Sequence, residues 1–191
     1  MNTTDGIPRE EIHRRQLDLR FYRRSDGLYE VEGSLMDTKT HPFRRQLAQE
    51  DTPPGEPLHD ISLRLVLDES LHVRDAIASM RVTPFGVCRG AAETVAQLKG
   101  LRIGPGWNSK VRQLLGGAAS CTHLAELLGP MATTAFQGLA PQRQARINDP
   151  ERVQERTAKV DSCYAYAAHR EVVARLWPEL HRLREEPEDG A

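Results

Sequence analysis

The strongest constraint on the fold is a change in hydrophobic period partway along the chain. Up to Val82 apolar residues tend to recur at every second position, and beyond "TPFGV" they recur at spacings of three and four. Alternation lays one face of an extended strand on a core, whereas the longer spacing lays one stripe of a helix there. In "LDLRFYRR" Leu17, Leu19 and Phe21 alternate with Asp18, Arg20 and Tyr22. Asp26-Gly27 then supplies a turn, and "LYEVEGSLMD" resumes the extended pattern. "HDISLRLVLDESLHVRDAIASMRV" reads as a second hairpin, with Ile61, Leu63, Leu65 and Leu67 facing one way and the segment from Val73 to Val82 returning after "DES". Residues 38–57, rich in proline and charge, form a long surface loop able to cover a site.

Helices follow. "CRGAAETVAQLKG" starts at Cys88, places Ala92, Val95, Ala96 and Leu98 at helical spacing, and stops at Gly100. "GWNSKVRQLLGG" reads as a short helix, with Trp107 as a core anchor. "SCTHLAELLGPMATTAFQGL" reads as a longer one, with Ser120 as N-cap and Pro130 as a point where it can kink. "NDPERVQERTAKV" has an Asn-Asp-Pro helix start. In "SCYAYAAHREVVARLWPEL" the alternation of Tyr164 and Tyr166 favours a strand over a closing helix. The expected class is therefore α+β: an antiparallel sheet of two or more hairpins packed by three or more C-terminal helices. At 191 residues the chain suits a single domain, with flexible tails at 1–12 and 182–191.

Composition removes several function classes. The 26 basic and 27 acidic residues balance, and the arginines are scattered among carboxylates, so no field gathers nucleic acid or an anionic membrane. No run approaches the roughly 20 apolar residues that span a bilayer, and the N-terminus has no apolar signal core. A cytoplasmic protein is expected, and in that compartment three cysteines are thiols or metal ligands rather than a disulfide framework. "GLRIGPG" lacks the Gly-Lys-Ser/Thr of a phosphate loop, and no G-x-S-x-G supports a serine hydrolase.

The residues that can carry chemistry cluster at helix starts. Cys88 and Cys121 each stand where exposed N–H groups and the helix dipole favour a thiolate. His123 follows Cys121 by two positions, so geometry near the cap can aim both at one ion. His59-Asp60 opens the third strand and offers an imidazole or a carboxylate. Cys88, Cys121 and His123 are thus candidate ligands for mononuclear zinc or iron, with Asp60 or His59 moving protons. The competing reading is a cysteine buried as a small hydrophobe beside a satisfied histidine. Cys163 can pack inward or add a third thiolate. Asp37 and His41 flank the long loop, where a turn or capping role is favoured over a place in a pocket. Arg20, Arg23 or Arg24 can grip a carboxylate.

Two resemblances bear on these residues. The segment from His59 to Gln137 resembles the iron–sulfur scaffold family of IscU and the NifU N-terminal domain. "HDISLRLVLDESLHVRDAIASMRVTPFGVC" is similar to that family's Asp-led hairpin ending in a cysteine, and "CTHLAELLGPMATTAF" to its alanine-rich helix. This resemblance implies an IscU-like core and cluster-linked positions at Asp60, Cys88 and Cys121. The family's first cysteine has no counterpart near Leu58, and Ser120 stands where its histidine precedes the last cysteine. A mononuclear site is therefore preferred to an iron–sulfur cluster. Over nearly its whole length the chain resembles the bacterial family called domain of unknown function 2889, through Asp26-Gly27, Asp37-Thr38, His59-Asp60, Cys88, Gly100, Gly117, Cys121-Thr122-His123-Leu124 and Ser162-Cys163-Tyr164. That resemblance implies a small cytoplasmic protein associated with catabolism of aromatic compounds.

The functional expectation is a metal-binding protein, an enzyme or enzyme accessory, acting on a small aromatic or carboxylate compound, as a homodimer or with an enzyme partner. Two alternatives stay open: an iron–sulfur or sulfur-transfer accessory, and a non-catalytic interaction protein with a structural metal.

Overall fold

Four long strands follow one another and pair with their sequence neighbours in a computed structural model that describes residues 6–149 and 151–182. Strands β1 (His13–Arg23), β2 (Tyr29–Lys39), β3 (Pro57–Leu67) and β4 (Val73–Val82) form one antiparallel sheet in the order β1-β2-β3-β4. This is the meander that the two hairpins predict. The Asp26-Gly27 turn closes the first hairpin with Gly27 at φ 84°, in the left-handed region that glycine enters without steric cost. The expected tails lie partly outside the described residues; residues 6–12 carry no regular structure.

Register sets one face of the sheet. Leu17 stands opposite Leu35 and Leu35 opposite Ile61, while Phe21 stands opposite Val31 and Val31 opposite Leu65. Val31, Leu35, Ile61, Leu63 and Leu65 are buried under helix α2 (Thr122–Gly138), whose Leu124, Leu127, Leu128, Met131 and Ala135 form one apolar stripe. Gly33 interrupts the apolar positions of β2 because Met131 needs the space: a Cβ there would come 2.9 Å from the Met131 sulfur. At the other end of α2 a Cβ on Gly138 would overlap the Phe21 ring. Gly138→Ala is therefore expected to lower the unfolding free energy by about 1–3 kcal/mol through overpacking, read as a lower urea midpoint at an unchanged slope.

Two details differ from the sequence expectation. The segment expected as a helix from Cys88 is a 3-10 stretch, Gly86–Leu98, that begins two residues earlier; the Cys88 N–H is already bonded to the Phe85 carbonyl. Ser120 does not cap α2. Its hydroxyl pairs with that of Thr94 at 2.6 Å, and Cys121 takes the capping position, with its carbonyl accepting the Ala125 N–H. Helix α1 (Trp107–Leu115) is anchored as expected by buried Trp107, whose indole N–H donates to the Leu128 carbonyl at 3.0 Å. Pro130 sits inside α2 without ending it.

The chain divides into two compact units, Met1–Gly138 and Leu139–Ala191. The second holds α3 (Ala140–Ile147), α4 (Val153–Lys159) and α5 (Glu171–Leu176), with 3-10 turns at Tyr164–Tyr166 and Pro178–Leu180. The strand expected around Tyr164 and Tyr166 is thus corrected to helical turns. The two tyrosines do not share a sheet face: Tyr166 stacks on Trp177 at 5.6 Å, and the Arg170 guanidinium lies 3.5 Å over the Tyr164 ring. Pro150, in the expected Asn-Asp-Pro start, lies outside the described residues.

Candidate functional site

Cross-strand register, more than any sequence motif, builds the site. Arg15 on β1 stands opposite Asp37 on β2, and Asp37 stands opposite His59 on β3. All three continue the phase of the buried face, two residues beyond Leu17, Leu35 and Ile61, so they meet at one end of the core. The β2–β3 register shifts between Asp37 and Thr38, and the β3–β4 register between Asp60 and Ile61. Such irregularities end pairing and re-aim side chains.

Asp37 is the hub. Its side chain is 2 % exposed, yet it carries a charge, which is tolerable only with partners. Arg15 supplies a two-pronged bond, Nε to Oδ1 at 2.8 Å and a terminal nitrogen to Oδ2 at 2.7 Å, and its other terminal nitrogen reaches Glu126 on α2 at 2.6 Å. His59 Nδ1 lies 3.0 Å from Asp37 Oδ2, His13 Nε2 3.3 Å from Oδ1, and His123 Nε2 4.0 Å from Oδ2. Burial works to raise the Asp37 carboxyl, but the Arg15 bonds and charge, with His59 and His13, outweigh it and hold the group below the usual carboxylate range. Burial pushes the His59 imidazole below its ordinary value against the pull of Asp37, with Arg15 and His13 adding to the lowering. His59 is therefore the neutral ring, donating its Nδ1 proton to Asp37 and keeping a lone pair on Nε2.

His123 enters from the first turn of α2. Its ring packs on that of His59 with centroids 3.9 Å apart, and its Nδ1 lies 3.6 Å from the Cys121 sulfur. The imidazole thus stands between Cys121 and Asp37, one nitrogen turned to each. Burial opposes ionisation of Cys121, but the His123 ring and the backbone N–H groups of Leu124 and His123 outweigh it and lower the thiol below its ordinary value. That is the helix-start effect expected for this cysteine, with the sulfur itself as the capping acceptor.

Asp37, His59 and His123 form a group that can hold a metal ion: one ligand atom from each lies within 4.8 Å of the other two. This set overlaps the sequence candidates only at His59 and His123. Cys121 faces the far nitrogen of His123. Cys88 lines a cavity of about 560 Å³ together with His59, Cys121 and His123, so four of the five sequence candidates share one space. Asp60 is not among the residues lining it. As the neighbour of His59 in a strand it turns to the other face of the sheet, where Arg81 binds it at 2.8 Å. Arg20 and Arg24 are committed to Asp18 and to Asp26 with Glu30, so neither is a ready carboxylate grip. Asp37, read as a turn residue from its place beside the loop, is instead the buried centre. Its signal was in the sequence: Val31, Gly33, Leu35 and Asp37 keep one phase, so the carboxylate falls on the core face.

Among the described residues no helix is long and apolar enough to cross a membrane. No curated protein and no solved structure matches the chain. The segment 13–137, which contains every residue of this site from His13 to Glu126, matches the family model described as "Protein of unknown function (DUF2889)", and the chain belongs to that family.

Proposed function

We propose that Asp37, His59 and His123 hold one divalent metal ion, zinc or ferrous iron, and that the protein is an enzyme acting on a small molecule in the adjoining cavity. The observation that carries this reading is a buried carboxylate and two imidazoles, brought from β2, β3 and α2, with ligand atoms within 4.8 Å of one another. Two imidazoles and one carboxylate suit zinc and non-haem iron, whereas magnesium and calcium favour oxygen-only shells. Three protein ligands leave a coordination position for water or substrate, and the cavity lies beside it. When bound, such an ion polarises an oxygen of the substrate or generates hydroxide near neutral pH.

The chain's own residues orient and insulate this site. Arg15 and Glu126 fix the plane of the Asp37 carboxylate. Cys121 faces Nδ1 of His123 and so favours the ring orientation in which Nε2 faces Asp37. An iron–sulfur cluster fits poorly: among the three cysteines only Cys88 and Cys121 line the cavity, and the nearest other donors are imidazoles. The cavity favours an enzyme over a structural metal staple, which a fold with this apolar core does not need. All three cysteines are unpaired, which supports a cytoplasmic setting.

The direct test is elemental analysis of protein purified without a polyhistidine tag or chelator, then loaded with zinc or anaerobic ferrous iron and dialysed. About one equivalent of either metal per chain is expected. Wild-type protein that retains neither ion after loading would sink the reading.

A further inference from the structure

The walls of the cavity define what it can accept. Among the described residues none that lines it is a lysine, arginine, aspartate or glutamate; the ionisable residues of the lining are His59, His123, Cys88 and Cys121. Met80, Pro84, Phe85 and Val87 give it an apolar side. Several of its hydroxyls are already engaged: Thr83 donates to the Phe85 carbonyl at 2.8 Å, and Thr94 and Ser120 pair with each other at 2.6 Å. Val87 is 85 % exposed, which places an open apolar rim on this side. By contrast, the groove on the outer face of the sheet is lined by charged residues, among them Arg20 paired with Asp18, Arg81 paired with Asp60 and Arg64 beside Glu30.

We propose that the cavity binds a compound with a single anionic head group, turned to the His59–His123 pair, and an uncharged apolar body lying against Phe85 and Val87. This rests on the reading that Asp37, His59 and His123 hold a divalent ion. The charges at that end then run two positive from the ion and one from Arg15, against one negative each from Asp37 and Glu126, a surplus of one that a monoanionic head neutralises. A second anionic group at the body end would meet no cation among the lining residues, the nearby Arg45 being turned to the Thr83 carbonyl at 3.5 Å, and a charge taken from water without a partner is strongly disfavoured. At about 560 Å³ the cavity is within the usual range for small-molecule sites and admits a substituted ring or a chain of similar bulk.

The test uses the full chain loaded with cobalt(II), whose visible spectrum reports ligand entry at the ion. The matched probes are p-toluate and terephthalate, which share size and head group and differ in the charge at the far end. The expected result is a spectral change with p-toluate and binding at least tenfold tighter than that of terephthalate. Filling the cavity away from the ion provides the second arm. Gly90 lines it, and a Cβ there meets nothing within 4 Å, so the backbone leaves room for a side chain to start; Gly90→Leu and Ala91→Leu are the two variants. At least one of them is expected to weaken p-toluate tenfold or more with cobalt content unchanged. Terephthalate binding as tightly as p-toluate overturns the proposal, as does wild-type affinity for p-toluate in both filled variants. In either case retained cobalt leaves the metal reading standing. Wild-type protein that retains no cobalt overturns the anchoring proposed here, and the metal reading falls with it where zinc and ferrous iron are also lost.

Discussion

Replacing Asp37 by asparagine is expected to lower the unfolding free energy of the metal-free protein by about 2–4 kcal/mol. The isosteric amide keeps the volume and removes the charge. The amide keeps one accepting oxygen and puts a donor NH2 in place of the other, so Arg15 loses one bond of its pair and the charge behind both, and either His59 or His13 loses its acceptor, at a position whose side chain is 2 % exposed. Breaking a fully buried pair typically costs about 3–5 kcal/mol. The lower range is used because the Arg15 side chain is 34 % exposed and keeps Glu126 as a partner, so water answers part of the loss. Chemical denaturation at pH 7 checks it, and a loss below about 1 kcal/mol would mean that Asp37 is not the electrostatic hub of the fold.

The same group gives a pH signature. The folded carboxyl of Asp37 titrates below its unfolded value of about 3.9, so its contribution is complete above that value and is lost as pH falls through the lower folded value. His59 acts in the same direction at higher pH. Its folded value lies below the unfolded value of about 6.5, so acidification from neutrality protonates the unfolded chain first and costs stability. Wild-type stability should therefore begin to fall below about pH 6.5 and fall again below about pH 4. Asp37→Asn should remove the contribution that Asp37 makes to the second decline, an outcome that thermal melts across this range resolve.

The sheet and the longest helix were legible because their periods are unambiguous: Leu17 through Phe21 and Ile61 through Leu67 alternate, and Leu124 through Ala135 repeat at helical spacing. What a single segment cannot show is register. Arg15 and Asp37 lie 22 residues apart, as do Asp37 and His59, and nothing local in any of the three announces the other two. They meet because the first hairpin turns at Asp26-Gly27 and the long 40–56 loop returns β3 beside β2 with Asp37 opposite His59. The phase of Asp37 with Leu35 was readable and pointed inward; its place beside a proline-rich loop drew the reading toward a turn. Cys121 and His123 stood out as a motif, and their shared neighbourhood is real. The sequence reading aims both at one ion; in the structure one imidazole stands between the sulfur and the carboxylate. Beyond Gly138, short helices and 3-10 turns are held by ring contacts such as Tyr166 on Trp177, which leave no period to read.

That separation divides the consequences of substituting the two residues. His123→Ala removes one of three proposed ligands and is expected to reduce zinc affinity by at least a hundredfold, a loss of about 2.7 kcal/mol or more. Cys121→Ser keeps a hydrogen-bonding group beside Nδ1 of His123 and alters only the environment that orients the ring; such outer partners typically account for about 10- to 100-fold in affinity, and the conservative serine places this variant at the low end. Cys88→Ser, in the cavity wall, and Asp60→Asn, bound to Arg81 on the other face, should leave zinc affinity unchanged within about threefold. Competition with a chromogenic chelator ranks all four in one experiment. The order His123→Ala, then Cys121→Ser, then the remaining two near wild type is the signature of an Asp37–His59–His123 centre. A centre built on Cys88, Cys121 and His123 would instead make all three of those substitutions comparably severe, and that result would overturn the assignment.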